Sequence, residues 1–324
     1  IEFYQRALSI RLNLLGENHP DIALVYGNIG TVYENKKDFN KALEYFNKAL
    51  SIRLNLTGED HPSVALLYNN MGESYRALKD LEKSFELLNK SLALRLKLMG
   101  SNHPDVAITY GNIGQTYFDS GDYQASREYF VNCYKIWSSL FGEKHPEVGL
   151  AYYNIARSYK QQNNFDSSFV YCQKSLISLV NDFEDTSIFS NPVLDNINSE
   201  LNLLKTLKLK ADIFSIISNK ESTKYLEYSL LNYQLASKLA DMIRIGFKAE
   251  GSKLLLGDQT SDLYSNAVKT SLRLFSINED ISKKEQAFNF IEKSKSAVLQ
   301  EGLLESKAKQ FANLPQGILD DEKE

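Results

Sequence analysis

The chain has 324 residues, of which 43% are hydrophobic and 24% charged, with a formal net charge of -4. That balance gives no reason to expect nucleic acid, whose binders carry a basic stripe. No apolar run approaches the roughly 20 residues of a membrane span, and two cysteines are too few for a disulfide framework.

The first fifteen residues carry apolar positions at helical spacing (Tyr4, Ala7, Leu8, Ile10). They read as the second helix of a repeat whose leading helix is truncated, so the sequence is expected to be a piece of something longer. From there the dipeptide His-Pro recurs every 42 residues, at His19-Pro20, His61-Pro62, His103-Pro104 and His145-Pro146, each preceded by Gly16, Gly58, Gly100 or Gly142. Self-similarity this strict predicts a stacked array in which neighbours bury one another's apolar faces. The glycine is expected to end one helix in a left-handed cap, and the proline to open the next at a position whose N–H is unpaired anyway. Asp21, Asp105 and Glu147 place negative charge at the positive helix end.

Within one unit, the spacing predicts a first helix to about Glu34, with Ala23, Tyr26, Ile29, Gly30 and Tyr33 on one face. Lys36-Lys37-Asp38 makes the turn, and a second helix runs from about Phe39 to Leu56, burying Ala42, Phe46, Ala49 and Leu50. Gly30 and Ala42 let the two axes approach closely. The register recurs at Tyr68, Met71, Gly72 and Tyr75, then at Tyr110, Ile113, Gly114 and Tyr117, then at Tyr152, Ile155, Ala156 and Tyr159. A Tyr/Leu-Gly/Tyr first helix followed by Ala-x3-Phe/Tyr-x2-Ala resembles the tetratricopeptide repeat, in the 42-residue variant similar to that of kinesin light chains. The resemblance covers residues 1–180. It implies an all-α fold, a right-handed superhelix of antiparallel helix pairs, with residues 16–180 as four regular units. Ser84, Ser126 and Ser168 stand in place of Ala42, and Ala156 in place of glycine; these departures are expected to loosen the later repeats.

After Val180 the period dissolves. Asn181 to Asn191 reads as a loop and Pro192 as the start of a helix. Leu194–Ile217 with Tyr225–Ile243, and about 247–276 with 282–296, read as irregular helix pairs within 181–311. The stretch from Gln286 to Lys309, with the tail Phe311 to Leu319, resembles the region preceding the caspase-like domain of CHAT proteins, 312–324 being a connector towards that domain. On that resemblance any His/Cys dyad would lie beyond Glu324, and this chain is not itself an enzyme.

The four histidines sit one per repeat, too far apart to converge on a metal, and a turn-and-cap role is expected; no cofactor is implied. Cys133 and Cys172 are expected to be buried thiols, in keeping with a reducing, cytoplasmic setting. Trp137 is expected to pack between repeats. The functional candidates are Asn28, Asn70, Asn112 and Asn154, one per first helix. Asparagine at this place in related repeats bonds the backbone of an extended peptide on the concave face, and an amide offers both donor and acceptor without a charge to desolvate. A bond to the adjacent helix, holding repeats in register, is the alternative, and the two are compatible. Beside them Thr31, Glu73, Gln115 and Arg157, then Arg76 and Lys160, vary in chemistry while the core does not, as a selective groove requires. The expected partner is a protein or extended peptide; the alternatives are a stand-alone adaptor, which would have no folded domain after Glu324, and a small-molecule regulator, marked by a closed aromatic-lined pocket in 181–311.

Overall fold

The computed structural model describes residues 2–218, 223–246 and 250–295, and the chain divides into two compact units, Ile1–Gln162 and Asn163–Glu324. The first unit is a run of helices: α1 (Glu2–Leu15), α2 (Pro20–Asn35), α3 (Phe39–Thr57), α4 (Pro62–Ala77), α5 (Leu81–Met99), α6 (Pro104–Ser120), α7 (Tyr123–Phe141) and α8 (Pro146–Gln161). Each even-numbered helix packs on the helix that follows it, up to α6 on α7, and each odd-numbered one on the first helix of the next repeat; α4 also touches α2 and α6.

The repeated residues set the helix ends. His19, His61, His103 and His145 are N-caps whose Nδ1 accepts the backbone N–H of Asp21, Ser63, Asp105 and Glu147 at 3.2, 3.1, 3.1 and 3.3 Å. The imidazole does what Ser or Asp does at other helix starts, meeting one of the first-turn donors that have no partner within the helix. Asp38, Asp80 and Asp122 cap the second helices in the same way. The glycine caps differ from the expected left-handed form: Gly58, Gly100 and Gly142 combine φ of 71, 79 and 78° with ψ of -171, 174 and 179°. That region is essentially closed to any residue with a Cβ, and it sends the chain outward, extended, into the turn before His-Pro.

Close approach is real at Gly30: a Cβ there would lie 2.5 Å from Cε1 of Phe46, which is fully buried. The serine departures do not loosen the array. Ser84 Oγ lies 3.2 Å from Thr116 Oγ1 and Ser126 Oγ 3.2 Å from Ser158 Oγ, all buried. Each pair satisfies two hydroxyls at once and ties a second helix to the next first helix, where an alanine would offer only contact.

The second unit contains α9 (Phe165–Leu179), α10 (Glu200–Ile217), α11 (Lys224–Gly246), α12 (Glu250–Asn278) and α13 (281–295). Its core gathers Leu176, Leu203, Leu207, Leu230, Tyr233, Leu263 and Leu274. Pro192 does not open a helix; α10 begins eight residues later, after the N-cap Ser199. The intervening backbone is committed elsewhere: Val180 and Ile197 form an antiparallel bridge, and Asn181 and Asn198 donate backbone N–H to Asn196 O at 3.1 Å and Leu179 O at 2.8 Å. Behind this segment Lys210 is fully buried. Its Nζ donates to Gln173 Oε1, Ser190 O and Asn191 Oδ1 at 2.9, 2.6 and 2.9 Å, and burial pulls its pKa down to about 8.

Candidate functional site

The candidate residues lie on the first helices α2, α4, α6 and α8 of the first unit, and all four asparagines are half-buried. They are not equivalent. The Asn112 amide donates to Asn69 Oδ1 on α4 at 3.1 Å and to the Glu73 carboxylate, which also accepts from Asn69 Nδ2 at 2.8 Å. Asn112 therefore holds α6 in register with α4. Asn70 receives only a long 3.5 Å contact from Asn69. For Asn28 and Asn154 no side-chain partner occurs among the described residues.

The variable residues also divide. Arg76 pairs with Asp119 across α4 and α6 at 2.8 Å, and Asp119 accepts from Gln115 at 2.8 Å. Arg157 donates to Gln115 Oε1 at 2.8 Å, with its guanidinium 3.8 Å from the centre of the Phe118 ring. Thr31 is exposed and donates to Gly27 O at 3.2 Å; Lys160 is half-buried at the end of α8. The first helices thus share a continuous polar seam. At its start Glu34 accepts from Ser74 Oγ at 2.9 Å. Burial, and then the Glu73 charge, push the Glu34 pKa up to about 7. Burial likewise raises that of Glu73, against the donors Asn69 and Asn112.

A second row had not been singled out from sequence. Leu24, Leu66 and Ile108 are 51, 50 and 42% exposed, and Leu150 is half-buried. Each stands four residues before a ladder asparagine, one helical turn away on the same face. The available signal was their 42-residue recurrence at a solvent-facing position, where nothing in the core demands an aliphatic side chain. Between α6, α7 and α8 a cavity of about 230 Å³ opens beside this row.

Neither cysteine is poised for chemistry: both are buried, and burial raises the Cys133 thiol to about 12. Among the described residues no group of three His, Cys, Asp or Glu side chains converges as metal ligands would, and no helix is long and apolar enough to cross a membrane. In the second unit, α11 and α13 frame a cavity of about 410 Å³ lined by Gln234, Ser237, Gln286, Asn289, Phe290, Glu292 and Lys293.

The sequence profile of the tetratricopeptide repeat matches residues 1–55, 63–131 and 106–176, just over half of the chain. The chain belongs to the tetratricopeptide repeat family. Its fold is that of an all-α repeat scaffold, of the kind that offers extended binding surfaces. Among solved structures it is similar to BtubC (BKLC) from P. vanneervenii, at 14% identity and a TM-score of 0.59 over 77% of this chain and 92% of that one. It is also similar to the nearly identical TPR-like repeats of a kinesin light chain-like protein from Podosopora anserina, at 17% identity and 0.53 over 66 and 96%. The apo form of RapI aligns at 14% identity and 0.51 over 86 and 98%. At these identities the likeness is one of fold. No curated protein matches the sequence.

Proposed function

We propose that the first unit binds an extended segment of a partner protein along α2, α4, α6 and α8. The observation that carries this reading is the pairing of two rows: an aliphatic side chain and an amide one turn apart on all four first helices. Leu24, Leu66, Ile108 and Leu150 would receive apolar side chains. Asn28 and Asn154, with the Nδ2 of Asn70 and the Oδ1 of Asn112, would exchange hydrogen bonds with main-chain groups. An exposed aliphatic row has no place in the core and loses solvation on both sides when a partner covers it. Thr31, Glu73, Gln115, Arg157, Arg76 and Lys160 set which sequences fit, chiefly through the Arg157 guanidinium and the Glu73 carboxylate. The test is selection of peptides from a displayed random 12-residue library against the full chain, followed by titration of the winners against Leu24→Asp/Leu66→Asp. Binding should fall at least tenfold with unchanged helicity; winners that bind the variant as well as the parent would overturn the reading.

The finer proposal is that this scaffold serves as the regulatory arm of a CHAT-type cysteine protease. It rests on the resemblance of 286–319, of which the part from 296 onward lies outside the described residues. Reading the coding sequence past Glu324 tests it: a mixed α/β continuation bearing a His and then a Cys supports it, and a stop codon or further helical repeats removes it.

A further inference from the structure

The three interfaces between successive repeats of the first unit are built from the same positions but filled differently. In the first, Gly27 leaves a gap on α2 that Leu67 of α4 fills; a Cβ on Gly27 would lie 4.0 Å from the Leu67 Cδ2, and Leu67 is buried. In the second, the equivalent pair is Asn69 and Thr109, both buried. Asn69 is bonded to Glu73 at 2.8 Å and Thr109 to Arg95 at 2.7 Å. In the third, the pair is Gly111 and Ala151, small on both sides. A Cβ on Gly111 would meet only Cys133 Sγ, at 3.7 Å. Two small residues where the first interface has a leucine leave the 230 Å³ cavity, and both line it.

The cavity has an apolar floor and a polar rim. Phe130, Cys133 and Trp137 form the floor, 1, 7 and 7% exposed. At the rim stand Ile108 of the aliphatic row and the amides of Asn112 and Asn154. A drug-sized ligand needs roughly 300–1,000 Å³, so the space is too small for a free metabolite of that class and fits one large side chain. The rim amides lie where the main chain flanking that side chain would run.

We infer that the interface between the third and fourth repeats is an anchor pocket: it takes one bulky apolar side chain of the bound segment and fixes the position of the rest along the face. This rests on the peptide-binding reading and adds to it a position and a residue class. The pocket requires Gly111 and Ala151, so restoring the leucine of the first interface, by Ala151→Leu, should close it. Because the substitution fills an existing void, the variant should melt at or above the parent temperature.

The probe is the tightest peptide from the library selection, resynthesised with its bulkiest apolar residue changed to alanine. Trp137 is the only tryptophan and lines the pocket, so its emission reports occupancy when the peptide itself contains none. The selected peptide should shift Trp137 emission saturably and bind about tenfold or more tightly than its alanine form, as burial of one leucine-sized side chain implies. Ala151→Leu should abolish both the shift and the tenfold preference while the alanine form binds as before; Gly111→Val, which fills the gap from the α6 side, should do the same. Peptides that bind Ala151→Leu and Gly111→Val as tightly as the parent, or a selected consensus without a bulky apolar residue, would overturn the anchor pocket and leave the groove reading standing. A selection that yields no binder would overturn both.

Discussion

Replacing Asn112 and Asn154 separately by alanine distinguishes the two roles an asparagine can play on this face. Asn112 donates to a carboxylate, Glu73, which burial has already pushed towards its neutral form. Losing a hydrogen bond to a charged group costs about 1.5–3 kcal/mol, and Glu73 keeps Asn69 as a remaining donor. Asn154 offers no such bond, so Asn154→Ala should stay within about 0.5 kcal/mol of the parent. For a unit of this size each kcal/mol moves the melting temperature by roughly 2–4 °C. Asn112→Ala should therefore melt about 3–12 °C lower, and Asn154→Ala nearly at the parent temperature. The sign with pH follows from Glu73. Removing a donor disfavours the ionised form in the folded state alone, so the deficit of Asn112→Ala is largest above the carboxylate range and shrinks as the pH falls and Glu73 takes a proton. Melting followed by circular dichroism at pH 8 and pH 5 reads this directly. An Asn112→Ala variant that melts with the parent at pH 8, or whose deficit does not depend on pH, would refute the register role. In peptide titration the order reverses: Asn154→Ala should weaken binding without touching stability.

The other predictions use the same logic elsewhere. Gly30→Ala places a Cβ 2.5 Å from a Phe46 ring atom, whereas at Gly114 the nearest ring atoms are at 3.0 Å. Overpacking costs about 1–3 kcal/mol against a helix-propensity gain of about 0.5–1 kcal/mol, so urea unfolding should show Gly30→Ala clearly destabilised and Gly114→Ala closer to neutral. Glu34 titrates at about 7 in the folded chain against 4.5 ordinarily. Between those values the folded state holds a proton that the unfolded state has released, so stability falls as pH rises through that window, and Glu34→Gln should flatten the fall in a melting-temperature profile. Lys210, at about 8 against 10.5, acts oppositely: the folded state releases its proton first, so stability rises with pH across that window. Lys210→Met should remove the rise and speed hydrogen exchange of the Ser190 region by stripping its carbonyl of a donor. His103→Ala should cost about 1 kcal/mol by loss of the N-cap, and His103→Asn should restore most of it.

The elements most legible in sequence were those fixed by one residue acting on its own backbone. A His-Pro step announces a helix start because the proline locks φ and the preceding side chain can reach the freed N–H, whatever the rest of the fold does. Gly30, Gly72 and Gly114 were legible for a related reason: only a missing Cβ admits the Phe46 ring, the Leu88 side chain or the Phe130 ring at that distance. The glycine caps were legible as glycine but not as geometry, because composition shows that a positive φ is wanted and says nothing about ψ. Pro192 misled for the complementary reason. Proline permits a helix start without compelling one, and the Asn-rich segment around it had closer partners for its backbone in Val180 and its neighbours.

Hydrogen bonds between helices were not legible, because each depends on two positions chosen independently. Ser84 alone looks like a weakened alanine. Only beside Thr116 does it become a bond between repeats. The asparagine ladder is the same problem on the functional face. Four identical residues at one register imply four identical roles, yet Asn69 and Glu73 occur in one repeat only, and together they draw Asn112 into the scaffold. Gly111 and Ala151 reverse the case: each is unremarkable alone, and their coincidence opens the cavity between α6, α7 and α8. In a repeat array the core is what recurs, so specificity has to be sought where the recurrence fails on both sides of one interface at once. Here that condition falls together with the aliphatic row and two amides at the junction of α6 and α8. On the anchor-pocket proposal, a segment lying along the four first helices buries its large side chain at this junction.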